Sequence, residues 1–109
     1  MKKRRHRRSA RSERLLGEIE GWATKLGIEP EAVYVQRMKR KWASCSSAGR
    51  LYFASDLAGE PRRFREVVIV HELLHLRIQN HGKLFKSFLN SYVPGWEIEI
   101  QGKANRICR

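Results

Sequence analysis

The chain has 109 residues, 41% of them hydrophobic, so it can form one small domain and is too short for separate binding and catalytic domains. It carries 23 Lys and Arg against 11 Asp and Glu, and this formal net charge of +12 favours polyanionic partners. The absence of a run of 18 apolar residues excludes a helical membrane span. Having only two cysteines and no apolar signal sequence, the chain is expected to be reduced and cytoplasmic.

The first residues of the chain are densely basic. Eight of the first fourteen carry a positive charge, namely Lys2, Lys3, Arg4, Arg5, Arg7, Arg8, Arg11 and Arg14. Like charges repel and this segment has little apolar surface to bury, so we predict a disordered basic arm over residues 1–11 and a folded domain over residues 12–109. The arm and the basic run at residues 37–41 favour non-specific binding of nucleic acid or another polyanion.

One helix and two strands are predicted next. Apolar residues recur at helical spacing after Ser12, which can cap the start of the helix, and Gly27 can end it. Alternating residues 33–38 and β-forming residues 51–55 predict two strands, and residues 46–49 have the composition of a turn.

A longer helix is predicted from Arg62 to about Gln79. Pro61 suits the first turn, where its missing N–H costs nothing. The middle of the segment, residues 67–70, is apolar on every side, which is typical of a helix buried in a core. An amphipathic helix is expected before Pro94, and the alternation of residues 97–100 predicts a short last strand.

Two histidines in the long helix have the spacing of metal ligands. His71 and His75 lie on one helical face, about 6 Å apart along the axis, and can share one Zn²⁺ ion. Glu72 points to the neighbouring flank, which suits a general base that activates a metal-bound water. Packing alone explains poorly why a carboxylate and two imidazoles occur among Val, Ile and Leu.

A catalytic zinc site needs a third protein ligand and one open position. His81 is the favoured third ligand, although it would point away from the metal if the helix continued. Asn80 tolerates the left-handed conformation, so we expect it to help the chain leave the helix before His81. Glu97 or Glu99 remains an alternative third ligand.

Trp42, Ser44 and Tyr52 are candidate substrate-binding residues, although Trp42 equally fits the core and Ser44 a turn. The predicted strand at residues 51–55 is a candidate edge strand that would align an extended peptide by backbone pairing. Cys45 is a possible but unneeded additional zinc ligand. The candidates for stabilising an oxyanion are Arg50, Tyr52 and Tyr92, and the sequence does not choose among them.

An ordered series of segments resembles the YgjP-like family of small HExxH metallopeptidases. The segments are residues 41–46 (KWASCS), 49–53 (GRLYF), 70–76 (VHELLHL), 80–82 (NHG) followed by Phe85, and 94–96 (PGW). The resemblance implies an α+β, zincin-like fold, in which a small β-sheet packs on the active-site helix with flanking helices. It also implies that His71, His75 and His81 bind zinc and that Glu72 is the catalytic base.

Two functions of different classes are consistent with this sequence. The leading hypothesis is a zinc-dependent metallopeptidase that acts on a peptide or protein substrate. The alternative is a nucleic-acid-associated zinc protein whose metal site is structural or non-catalytic. A closed four-ligand site, completed by Cys45 or Glu97, would favour the alternative.

Deletion of residues 1–11 is predicted to leave the fold intact and to weaken DNA binding, because the deleted segment carries much of the positive charge. Fluorescence anisotropy with labelled DNA at several salt concentrations measures both the affinity and its salt dependence. Unchanged affinity and salt dependence would count against a role of the arm.

Overall fold

Eight elements of secondary structure follow one another along residues 9–101, the part of the chain that this computed structural model describes. The α-helices are α1 (Ala10–Leu26), α2 (Arg62–Leu74), α3 (Lys83–Tyr92) and α4 (Trp96–Glu99). The strands are β1 (Ala32–Gln36), β2 (Ala43–Cys45) and β3 (Arg50–Ala54), and a 3-10 turn (Ser55–Gly59) follows β3. None of these helices is both long and apolar enough to cross a bilayer.

The start of α1 differs from the sequence prediction. The hydroxyl of Ser9, not that of Ser12, caps the helix and accepts a hydrogen bond from the Ser12 N–H at 3.1 Å. Ser12 is a buried residue inside the first turn. The end of the helix is as predicted, because Gly27 takes the left-handed conformation with φ of 70° and its N–H bonds to the last turn.

The predicted arm, residues 1–11, therefore extended too far along the chain. Ser9 is the helix cap, and Arg11 lies in the first turn of α1. Residues 1–8 lie outside the described part of the chain, and the arm remains a prediction for them. A truncation that tests the arm without removing the cap should end at residue 8.

The three strands form one sheet in the order β1-β3-β2. β3 pairs in parallel with β1 and antiparallel with β2, so it is the central strand. The prediction that residues 51–55 form the edge strand was wrong, because the short strand β2, which the sequence did not predict, occupies the edge position. A three-residue strand is too short to show a period of two in the sequence.

The turn between β2 and β3 is tight. The N–H of Gly49 donates to the carbonyl oxygen of Ser46 at 3.0 Å. The N–H of Ser46 donates to the carbonyl oxygen of Arg50 at 2.9 Å. Gly49 has a φ of 84°, a conformation that side chains disfavour. The predicted turn over residues 46–49 is therefore confirmed, and it brings β2 back along β3.

α2 is the central element of an α+β architecture, as the sequence predicted. Every residue from Val67 to Leu74 is buried. On one side, Val68, Ile69 and Leu73 pack into a core formed with α1 and the sheet. On the other side, Val67, Val70 and Leu74 pack against Phe85, Leu89 and Val93, which belong to α3 and its end. α2 is thus buried because a separate hydrophobic core packs on each of its two sides.

Two predictions for the C-terminal half need correction. α2 ends at Leu74, with His75 as its cap, and does not continue to Gln79. Residues 97–100 do not form a strand, because α4 occupies them, and the N–H of Ile100 bonds to the carbonyl oxygen of Trp96 at 3.2 Å. An alternation of four residues was too short a pattern to distinguish a strand from one helical turn.

Arginine side chains connect the helices at positions remote from each other in sequence. Arg65 of α2 donates to both carboxylate oxygens of Glu18 in α1, at 2.9 and 2.8 Å. Arg65 also donates to the carbonyl oxygen of Glu60 at 2.8 Å. Arg77, just after α2, donates to the carbonyl oxygen of Gly27 at 2.7 Å. These bonds fix α1 against α2 and against the turn that follows α2.

Arg65→Met is predicted to lower the free energy of unfolding by about 1–3 kcal/mol, because it removes charge-assisted hydrogen bonds in a partly buried site. Arg62→Met, on the same helix, is the matched control. Arg62 is exposed and pairs with Glu66 four residues away, so its loss should cost about 0.5 kcal/mol or less. Urea denaturation of both variants measures the difference, and equal losses would contradict the prediction.

Candidate metal centre

The last turns of α2 bring three polar side chains into an otherwise apolar environment. His71 and His75 are buried, with 8% of each residue exposed, and Glu72 is 0% exposed. The ring centroids of the two histidines lie 4.8 Å apart, as expected for neighbours on one helical face. The helix therefore presents two imidazoles together, with a carboxylate at their flank.

The chain leaves the helix at His75 through local hydrogen bonds. The N–H groups of Arg77 and Ile78 both bond to the carbonyl oxygen of Leu74, at 2.9 and 2.8 Å. The Asn80 side chain then accepts a hydrogen bond from the Gly82 N–H at 3.1 Å. The prediction that Asn80 takes the left-handed conformation was wrong, because in residues 9–101 only glycines have positive φ.

This turn returns His81 to the other two histidines. Its Nε2 lies 2.7 Å from Nε2 of His75, and its ring centroid lies 5.0 Å from that of His71. One ligand atom of each histidine lies within 4.8 Å of the others. No other group of three His, Cys, Asp or Glu residues in the described chain has a comparable arrangement. Glu97 and Glu99, the alternative third ligands, are not part of it.

Phe85 supports all three imidazoles from one side. Its ring centroid lies 5.1 Å from that of His71, and 4.9 Å from those of His75 and His81. Phe85 is itself buried in the core between α2 and α3. α3 therefore helps to orient the three histidines.

Glu72 has an unusual environment for a carboxylate. Its Oε2 lies 3.3 Å from Nδ1 of His71, and its Oε1 has no hydrogen-bond partner among the described residues. Buried carboxylate oxygens are rarely left unpaired, because desolvation of a charge is costly. An unpaired oxygen next to the histidine cluster is thus available to a water or a substrate.

Burial lowers the pKa of His75 below its usual value of 6.5, and the nearby charge of His71 lowers it further, although the carboxylate of Glu72 opposes the effect. The His75 ring is therefore neutral at pH 7, the form that binds metal ions. Burial also raises the pKa of the Cys45 thiol, and the charge of Glu72 raises it further. A protonated thiol is a poor metal ligand, and Cys45 is not a member of the histidine cluster.

The candidate substrate residues lie in different places. Trp42 is buried, and its ring packs edge-on against Phe64 at 5.4 Å, which is a core position. Ser44 and Tyr52 are register partners, and the alternation along β3 puts them on the sheet face opposite Leu51 and the helices. The side chains of Ser44 and Tyr52 are therefore not brought to the histidine cluster.

The described contacts of the oxyanion candidates do not involve the cluster. Arg50 shares the outward face of β3 with Tyr52. Tyr92 packs edge-on against Trp22 of α1, with ring centroids 6.5 Å apart. Phe85 was not predicted to be a site residue. Two features of the sequence pointed to it, namely its place after the NHG segment in the family resemblance and its position four residues after His81 on the apolar face of α3.

The donor set fits a transition metal of the zinc type. Three imidazoles bind Zn²⁺ well and leave one coordination position open, which is the arrangement of catalytic sites. Two of these rings are held on a buried helix, and the neutral form of His75 is already favoured. The unpaired Oε1 of Glu72 fits the need for a base at the open position.

Comparisons with known proteins identify a metallopeptidase domain. A family model described as YgjP-like, metallopeptidase domain, matches residues 2–101. A search of curated proteins finds no match.

Two solved structures have similar folds. The metallopeptidase zymogen abylysin of Pyrococcus abyssi has a TM-score of 0.71 and 16% identity, covering 85% of this chain and 98% of that chain. The metallopeptidase zymogen jannalysin of Methanocaldococcus jannaschii has a TM-score of 0.67 and 25% identity, covering 89% and 99%. This likeness confirms the predicted α+β metallopeptidase fold.

The purified protein is predicted to bind about one zinc ion per chain, and His75→Ala should lose most of it, because two imidazoles hold the ion less tightly than three. His6→Ala is the control, since His6 is the fourth histidine of the sequence and belongs neither to the HExxH motif nor to the NHG segment. Metal content by mass spectrometry after dialysis against a weak chelator measures the difference. Equal zinc in both variants would disprove the ligand assignment.

Proposed function

This chain belongs to the YgjP-like metallopeptidase domain family, and we propose that its metal is zinc, bound by His71, His75 and His81. Glu72 is the catalytic base in this proposal. The single observation that carries it is the cluster of three imidazoles with a fully buried carboxylate at its flank. The protein is a peptidase, so its substrate is a peptide or a protein.

A zinc ion bound by the three histidines would lower the pKa of a water molecule and polarise the carbonyl group of the substrate. Oε1 of Glu72 accepts the proton of the attacking water and delivers it to the leaving amine. The contact between Oε2 and His71 Nδ1, at 3.3 Å, fixes the carboxylate so that Oε1 stays available. Phe85 packs against all three imidazole rings and keeps them in place.

The substrate is proposed to bind along β2. Among the described strands, β2 pairs only with β3, so its other edge offers unpaired backbone groups to an extended peptide. β2 packs against α2 through the side of Ala43 and Cys45. The charge of Glu72 contributes to the raised pKa of the Cys45 thiol, so β2 lies within the electrostatic influence of the proposed base.

The remaining predictions on partners and location are part of the proposal. We propose a reducing, cytoplasmic location, and within residues 9–101 the thiol of Cys45 forms no disulfide. Binding of nucleic acid by the basic arm rests on composition alone, because residues 1–8 lie outside the described chain. The alternative of a closed structural metal site is disfavoured, since neither Cys45 nor Glu97 joins the cluster within residues 9–101.

Glu72→Gln is predicted to keep the bound metal and to reduce hydrolysis by about 10²–10⁴-fold, because the amide cannot take up a proton. Cleavage of a quenched-fluorescent peptide library by wild type and variant measures the loss, and metal analysis of the same samples shows whether the site is intact.

Glu66→Gln is the control, because it makes the same change of charge two turns earlier on α2, where Glu66 pairs with the exposed Arg62. The control should cleave at the rate of the wild type. Unchanged hydrolysis in Glu72→Gln would remove Glu72 from its role, whereas an equal loss in both variants would indicate a charge effect and not base catalysis.

A further inference from the structure

The sheet has a second face that the peptidase site does not use. Leu51 and Phe53 of β3 point into the core with the helices, so Tyr52 points to the opposite side. Tyr34 of β1 and Ser44 of β2 are its register partners and lie on the same side. We call this side, defined by Tyr34, Ser44 and Tyr52, the outer face. All three residues are partly exposed.

Two aromatic rings stand side by side on the outer face. The ring centroids of Tyr34 and Tyr52 are 5.2 Å apart, and the ring planes differ by 14°. This separation is close to the spacing of neighbouring strands, about 4.8 Å, so the rings stand upright next to each other. The far side of the Tyr52 ring is turned toward β2, where Ser44 is too short to cover it. A planar group can therefore stack there.

A basic loop borders one end of this face. The loop connects β1 to β2 and carries Arg37, Lys39, Arg40 and Lys41, all of which are exposed. None of the four forms an ion pair with another described residue, unlike the arginines of α2. Their charges are therefore available to an external anion.

The opposite end of the face is less positive. Arg50 is exposed at the start of β3 and follows the same face as Tyr52. Glu31, however, lies beside Gly49 at this end and offsets part of the positive charge of Arg50. The four basic residues of the loop outnumber Asp56, the exposed acidic residue that follows β3 at the same end of the sheet, and the two rings lie next to the loop along the strands.

We propose that the outer face and the basic loop bind single-stranded nucleic acid. The loop contacts consecutive phosphates, and the side of the Tyr52 ring that faces away from Tyr34 stacks on a base. Aromatic rings on neighbouring strands, flanked by basic residues, are a common design for binding single strands, because every base has a flat face. Stacking and phosphate contacts do not distinguish one base from another, so binding is expected to be independent of sequence.

An acidic peptide is the competing ligand. It would use the charges of the loop but would gain nothing from the rings, since carboxylates do not stack. The aromatic pair is therefore what favours nucleic acid over an acidic protein segment. The site lies on the face of the sheet opposite to the histidine cluster, so its failure and the failure of the peptidase assignment are separate results.

The first experiment measures binding of a labelled twelve-nucleotide oligo-dT to the full chain by fluorescence anisotropy at several salt concentrations. The double variant Lys39→Glu/Arg40→Glu should weaken binding about tenfold or more and lower the salt slope by about 1 for each phosphate that the loop no longer neutralises. Lys83→Glu/Lys86→Glu, two exposed residues of α3, is the control with the same change in net charge. Equal weakening in both variants would overturn the proposal in favour of a general charge effect.

The second experiment tests stacking. Tyr52→Leu should weaken oligo-dT binding about fivefold or more, because a leucine side chain cannot stack on a base as the phenol ring does. An abasic oligonucleotide of the same length supplies the same phosphates without bases and should bind wild type more weakly than oligo-dT. This comparison needs no variant, so misfolding cannot affect it. Equal affinity for both oligonucleotides would overturn the proposal.

The third measurement distinguishes the two ligand classes. Polyglutamate of matched charge should compete with oligo-dT weakly, and its competition should be unaffected by Tyr52→Leu. Competition as strong as that of unlabelled oligo-dT would assign the surface to acidic proteins and reject nucleic acid. Peptide cleavage should continue in Tyr52→Leu and in the loop variant, which also verifies that both variants are folded.

Discussion

The strongest constraint on this fold is that it must keep one carboxylate buried. Glu72 is completely inaccessible in a helix whose other buried residues are mostly Val, Ile and Leu. Removing a carboxylate from water is costly unless hydrogen bonds or nearby charges replace the solvent. Only one contact, to His71, does so within the described chain. Such a residue persists because the rest of the fold stabilises it, and α2 is enclosed by two cores that together supply that stability.

Features set by local spacing were predictable from the sequence. The separation of His71 and His75 determines their common face, and the apolar residues between Phe64 and Leu74 show that the helix is buried. His81 could be chosen as a ligand because the helix had to end before it. The way in which the helix ends was not predictable. It depends on the carbonyl oxygen of Leu74, which accepts from the N–H groups of two successive residues, and not on the backbone preference of Asn80.

Features set by long-range pairing were not predictable. β2 is three residues long and exists because the turn at Gly49 returns the chain along β3. The face on which Ser44 lies depends on the register between β2 and β3. A shift of β2 by one residue would turn Ser44 to the opposite face of the sheet. Sequence proximity to a motif therefore indicated the strand region that we propose for substrate binding, but side chains that do not face the histidines.

The position of Phe85 links the metal site to the integrity of the C-terminal helices. α3 is held to α2 by the small core around Phe85 and Leu89, and the same phenyl ring packs against all three imidazoles. An ion shared by His75 and His81 would close the loop between α2 and α3 as a cross-link does. Occupancy of the site would then slow hydrogen exchange in α3 more than in α1, because ligand binding protects the segments whose opening breaks the site. The metal would thus stabilise the packing of the C-terminal helices, in addition to its chemical role.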